Sequence, residues 1–135
     1  MEKNMSANFT EVVQNAQEGL EVLKANEAQA ALNADPNTMI LDVRDEGDLN
    51  LTGIIPGTVN VSMGTLYFKA DHNMPAEFQD PNLGDKDRPI ITTCTLGMVA
   101  CIAAKTLKDY GFKNVKVLEG GNQAWKEAGL PLEEA

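Results

Sequence analysis

The residue in this chain best suited to chemistry is Cys94. It closes an apolar stretch, Pro89-Ile90-Ile91-Thr92-Thr93, that reads as a buried strand. A short run with one glycine follows, Thr95-Leu96-Gly97-Met98, and then a helical pattern from Val99 to Tyr110. A cysteine at the end of a strand, with a helix N-terminus curling back beneath it, sits where backbone N–H groups converge. Such groups stabilise an anion and lower a thiol's pKa, so a reactive thiolate is expected without a neighbouring base. So tight a loop needs a residue tolerant of positive φ, which is the part given to Gly97. The candidate site is therefore Cys94 as nucleophile, with Thr95, Leu96, Gly97, Met98 and Val99 as the loop that meets the substrate.

The other reactive side chains read differently. Cys101 lies beside Ile102, Ala103 and Ala104 in an alanine-rich helical stretch, which favours core packing. It falls two turns along that helix, about 10 Å by axial rise. Bridged cysteines have Cα atoms closer than about 7 Å, so two free thiols and a reducing compartment are expected. His72 is the one histidine and belongs to a polar connection, away from Cys94. One histidine and two unclustered cysteines make no recognisable metal site. Gly120-Gly121 precedes a helix but follows neither nucleotide-binding glycine pattern, so it reads as a turn and no cofactor is expected.

The elements that must position Cys94 follow from pattern. Asn8 with Glu11 fits a helix start, with Phe9, Val12, Val13 and Ala16 on one face, and Gly19 ends that piece. Leu20 to Leu23 alternates as a short strand, and Asn26 caps a helix from Glu27 to Leu32. Asp35-Pro36-Asn37 is a turn. Met39 to Val43 reads as a strand buried on both faces, in the manner of a parallel sheet. Asp45 to Leu51 suggests a short helix; Gly53, Pro56 and Gly57 mark a tight loop before a strand at Thr58 to Val61. Residues 69–89 are polar and carry three prolines, a long surface connection. Gly111 ends the helix after Cys94 as a C′ glycine. Val115 to Leu118 is a further strand, and Asn122 to Ala128 a last helix that Trp125 packs onto the sheet. Strands alternating with helices give an α/β domain with a mostly parallel sheet.

Composition narrows the partners. The chain has 135 residues, so one domain is the default. A net charge of −9 argues against nucleic acid, whose binding draws on lysine and arginine, and against an anionic membrane surface. The same field repels small anions, so an anion site must rely on local dipoles. The stretch Met1 to Ser6 lacks the apolar centre of a signal peptide, and no segment approaches the roughly 20 apolar residues of a membrane span. A cytoplasmic location is expected.

Several motifs then converge. Leu41-Asp42-Val43-Arg44 is followed by Gly53-Ile54-Ile55-Pro56-Gly57-Thr58; Cys94 shares a loop with Gly97; the chain ends Leu118-Glu119-Gly120-Gly121, Trp125, Gly129-Leu130-Pro131. In this order and spacing they resemble the single-domain rhodanese family of sulfurtransferases, from about Leu20 to Pro131. The resemblance implies a three-layer α/β/α fold whose five-stranded, mostly parallel sheet is flanked by helices. It divides the chain into an N-terminal helical extension, residues 1–19, and a rhodanese-like domain, residues 20–135. Asp42 and Arg44 are then supporting residues that pin a strand end and its loop.

The match to the family's chemistry is partial. Its active loop usually reads Cys-x-x-Gly-x-Arg and then Ser or Thr, whereas Val99 and Ala100 stand at those last two positions here. Ile54 replaces the histidine of the family's Gly-His-Ile-Pro-Gly-Ala motif. Met63 stands where some close relatives carry arginine. The resemblance implies transfer of sulfane sulfur from a small donor (thiosulfate, polysulfide or a persulfide) to a thiol, protein thiol or cyanide, through a persulfide on Cys94. The lost cationic contacts favour the less anionic donors. They also leave open a binding or sulfur-carrier module that keeps the fold without efficient turnover. A phosphatase or arsenate reductase is disfavoured, since no basic residue occurs from Cys94 to Ile102. Nothing in the sequence sets an oligomeric state.

Overall fold

The computed structural model describes residues 7–135. The stretch Met1 to Ser6, on which the signal-peptide reading and the start of the 1–19 extension rest, lies outside the described residues. The elements run α1 (Phe9–Gln17), β1 (Glu21–Leu23), α2 (Ala25–Ala34), β2 (Met39–Asp42), β3 (Val59–Asn60), α3 (Met63–Lys69), β4 (Ile90–Thr93), α4 (Met98–Asp109), β5 (Val115–Leu118) and α5 (Gly121–Glu127). A 3₁₀ helix, Glu46–Leu51, sits between β2 and β3. Among the described residues no helix is long and apolar enough to cross a membrane.

The five strands form one parallel sheet in the order β1-β5-β4-β2-β3. Every residue of β2 and β4 is buried. Successive strand side chains point to opposite faces, and the two faces bury separate cores. Met39, Leu41, Val43 and Ile90 join Ala100, Ala103, Ala104 and Leu107 of α4 on one side. Ile40, Ile91 and Leu118 join Ala28 of α2 and Trp125 of α5 on the other. This is the three-layer α/β/α architecture expected from the sequence. The outer strands are short: β1 has three residues and β3 has two.

The strand order also locates a crevice. From β4 the chain moves outward to β5, and from β2 it moves the opposite way to β3. Loops leaving the carboxyl ends of these two central neighbours therefore diverge, and in open parallel sheets that divergence is where ligands bind. Cys94 follows β4 directly, and Val43-Arg44 follow β2.

Several local expectations shift. In α1, Asn8 caps the helix, its side chain accepting from the Glu11 N–H at 2.9 Å. Only Val13 and Ala16 are buried, however; they face α4, while Phe9 and Val12 are exposed. Phe9 sits in the first turn, where it meets the edge of the crevice rather than the sheet. Helix α2 begins at Ala25, with Lys24 rather than Asn26 as its cap. The Glu27 carboxylate accepts the Lys24 N–H at 2.8 Å, the return half of a capping box, and that contact sets the boundary. Helix α3 has no counterpart in the sequence reading, because Gly64 and Thr65 in its first turn are poor helix formers. Residues 69–89 are more than a surface strap: Leu83 is fully buried, and the Lys86 ammonium donates to the Tyr110 carbonyl at 2.7 Å. Helix α5 starts at Gly121, one residue before Asn122.

Candidate active site

Cys94 lies in the crevice with its side chain nearly covered, 6% exposed. Its Sγ accepts two backbone N–H groups, from Gly97 at 3.1 Å and Ala100 at 3.4 Å. Gly97 has φ +85° and is the N-cap of α4, so the chain reverses there and turns the first N–H groups of the helix toward the sulfur.

The first two peptides of the same loop are held by α5. The Cys94 carbonyl accepts the Asn122 N–H at 2.8 Å, and the Thr95 carbonyl accepts the Gln123 N–H at 3.0 Å. These two bonds fix the start of the loop against α5, ahead of the N–H groups that meet Sγ. Gly121 permits this contact. Its φ is +62°, and a Cβ there would lie 2.6 Å from the Gly97 nitrogen and against the Cys94 oxygen. The sequence reading of Gly120-Gly121 as a plain turn overlooks this close approach.

A buried polar network supports the same loop. Arg44 and Asp42 form an ion pair with an Nη2–Oδ2 distance of 2.7 Å. Arg44 Nε donates to the Asp42 carboxylate at 3.0 Å, Nη1 to Thr52 Oγ1 at 2.9 Å and to the Asp48 carbonyl at 3.4 Å, and Nη2 also to the Gly53 carbonyl at 3.0 Å. Every N–H of the guanidinium thus has an acceptor. The Gly53 carbonyl also accepts from Asn122 Nδ2 at 3.2 Å, and Asn122 Oδ1 accepts from Thr93 Oγ1 at 2.7 Å. Asn122 is wholly buried and joins the Arg44 network to the end of β4. Nothing in its sequence context marks it.

The crevice opens as a pocket of about 340 Å³. Cys94, Thr95, Leu96, Met98 and Val99 line it, as do Arg44 and Met63. Gly97 contributes its N–H rather than pocket surface, and Asp42 lies beneath, holding Arg44. Phe9, Val43, Asp45 and Asp48 also line the pocket and were not singled out from sequence. Their signal, two exposed carboxylates after β2 and an aromatic at a helix start, is ordinary until the fold gathers them.

Cys101 is equally enclosed, 4% exposed, but its thiol donates to the Gly97 carbonyl at 3.3 Å. Burial, and then the neighbouring Cys94, push the Cys101 thiol up from its ordinary value. Both cysteines are free. His72 is remote from the pocket; its Nε2 is 2.8 Å from the Leu83 carbonyl and its ring meets Phe112 edge-on. Ile54 exchanges backbone hydrogen bonds with Glu133 near the C-terminus. Among the described residues, no three His, Cys, Asp or Glu side chains are grouped to hold a metal ion.

The sequence pattern of the rhodanese-like domain matches residues 24–128. The chain belongs to the rhodanese-like family. Thiosulfate sulfurtransferase GlpE of Actinobacillus succinogenes is 32% identical over 73% of this chain and 78% of its own length. The polysulfide-sulfur transferase homodimer of Wolinella succinogenes has a similar structure, with TM-score 0.69 and 29% identity, covering 91% of this chain and 85% of that one. A Rhodopseudomonas palustris protein of unknown function, described as a possible tyrosine phosphatase, superposes with TM-score 0.87 at 30% identity, covering 98% of this chain and 99% of that one.

Proposed function

We propose that this rhodanese-like chain is a sulfurtransferase in which Cys94 carries the sulfur as a persulfide. The observation that carries the reading is the pair of backbone N–H groups on Cys94 Sγ at the base of an open pocket. Main-chain dipoles stabilise negative sulfur and require no charged side chain. In the first half-reaction, Cys94 Sγ as thiolate attacks the outer sulfur of the donor. A new S–S bond forms, the donor's S–S bond breaks, and its electron pair leaves with the rest of the donor. In the second half-reaction an acceptor thiolate attacks the outer sulfur and Cys94 departs as thiolate. This is covalent catalysis with ping-pong kinetics.

The pocket's electrostatics bear on the donor. Among the described residues Arg44 is its only cation, and that guanidinium is already saturated. Leu96, Met98, Val99 and Met63 supply an apolar lining. A small dianion such as thiosulfate forgoes a charge-assisted contact worth about 1.5–3 kcal/mol, about ten- to a hundredfold in rate. Polysulfide, or a persulfide carried on a thiol, is the better donor. We further read residues 1–19 as an extension whose helix closes one wall of the pocket through Phe9, and we place the chain in a reducing, cytoplasmic setting that keeps Cys94 a free thiol.

The saturated arginine also favours a second reading, a sulfur carrier that loads but turns over slowly. It disfavours phosphoryl transfer, in which a cation must meet the oxyanion.

The test is intact-mass analysis and peptide mapping after polysulfide treatment, followed by turnover with a thiol acceptor. The expected result is one added sulfur on Cys94 that the acceptor removes, with thiosulfate a poor donor that Val99→Arg improves. Loading without turnover selects the carrier. An unmodified Cys94, or aryl phosphate hydrolysis lost in Cys94→Ala, overturns the proposal.

A further inference from the structure

We infer that the mouth of the Cys94 pocket receives a cysteine borne on a basic, apolar stretch of another protein, in preference to a small anionic thiol. The inference rests on the sulfur-transfer reading and adds to it the chemistry of the partner.

Three large apolar side chains stand on the rim. Phe9 is 49% exposed, Leu96 54% and Met98 41%. A single exposed leucine needs no explanation. Three such side chains, from α1 and from the loop that holds Cys94, around one opening make a contact patch. The pocket behind them, about 340 Å³, holds a side chain and its attached sulfur, not a folded element. A cysteine projecting from a partner's surface segment therefore reaches the recessed Sγ while its neighbours rest on the rim.

Charge identifies that segment. Asp45 and Asp48 line the same opening, are exposed, and take part in no ion pair among the described residues. Arg44 is neutralised by Asp42 and offers no free N–H. The opening is thus negative at its edge and uncompensated within. Lysine or arginine beside the incoming cysteine is attracted; a carboxylate-bearing small thiol is repelled. A second copy of this chain, itself at −9, is opposed by like charge.

In the transfer, the partner's cysteine reacts as thiolate, its proton having gone to solvent. It attacks the outer sulfur on Cys94, a new S–S bond forms, and the bond to Cys94 Sγ breaks with its electron pair returning to Cys94. One thiolate enters and one leaves, with no outside oxidant or reductant.

The experiment uses the full chain loaded with sulfur by inorganic polysulfide and freed of excess reagent. Two synthetic peptides of equal length are offered, a cysteine flanked by leucine and lysine, and the same peptide with glutamate for lysine, with glutathione as the small anionic thiol. The removal of sulfur is followed by intact mass. The expected result is transfer to the lysine peptide about five- to tenfold faster than to the glutamate peptide or glutathione at low salt, with the advantage shrinking as salt is raised. In Asp45→Asn/Asp48→Asn the ratio of the two peptides falls toward one. Equal rates in the parent chain, or a ratio untouched by the double substitution, overturns the inference while leaving the sulfur-transfer reading intact. Failure of Cys94 to load overturns both.

Discussion

The two cysteines make the sharpest comparison in the molecule. Cys94 and Cys101 are close in sequence, both free, and almost equally hidden at 6% and 4% exposure. They meet opposite ends of the backbone. Cys94 Sγ accepts N–H groups, whereas the Cys101 thiol donates to a carbonyl. Burial alone would make both inert. The direction of the peptide dipoles distinguishes them: one sulfur faces hydrogen-bond donors, and the other faces an acceptor and is pushed toward its protonated form by burial. Gly97 serves both, through its N–H on one side and its carbonyl on the other.

The comparison can be broken most directly by exchanging the thiols' fates. Cys94→Ala should abolish sulfur loading by mass analysis, and Cys101→Ala should retain it at a stability cost of about 1 kcal/mol by chemical denaturation. Loading that follows Cys101 would reverse the assignment. The next largest effect is expected at Gly121. Gly121→Ala places a Cβ against the Cys94 loop at positive φ, so a loss of about 2–4 kcal/mol in stability is expected together with slower loading. A variant as stable as the parent would show that the approach of α5 to the loop is looser than described.

Asn122→Ala should cost about 1–3 kcal/mol by removing two buried hydrogen bonds, one from Thr93 and one to Gly53. Slower loading in the folded fraction would mark it as a positioning residue; an unchanged loading rate would confine it to stability. The smallest effect concerns pH. The Cys101 thiol is raised by burial and by Cys94. Its folded value lies above that of the unfolded chain, so this group leaves stability unchanged below about pH 8.5 and lowers it as pH rises further. Denaturation midpoints measured across that range should decline less in Cys101→Ala than in the parent. An identical decline would remove Cys101 as its source.

The difference between these regions was only partly legible in the sequence. β2 and β4 announce themselves through Met39-Ile40-Leu41 and Ile90-Ile91, apolar neighbours without alternation, because a central parallel strand is buried on both faces. The strand–glycine–helix spacing around Cys94 likewise exposes the loop's geometry. What the sequence hides is contact between distant segments. Gly121 reads as a turn until α5 is seen pressed on the Cys94 loop, and Asn122 reads as a helix start until its side chain joins Thr93 to Gly53. Periodicity places Phe9 on one face with Val13 and Ala16, but it cannot tell that the first turn of α1 overhangs a crevice. Likewise Thr95 to Val99 suggests the donors, while the second N–H comes from Ala100, one residue beyond.

The brevity of the outer strands has a consequence of its own. With three residues in β1 and two in β3, the sheet offers a stranger's backbone almost no open rungs on which to zip. Runaway fibrillar stacking through those margins is therefore discouraged by geometry. Association is thereby steered toward the helices and loops.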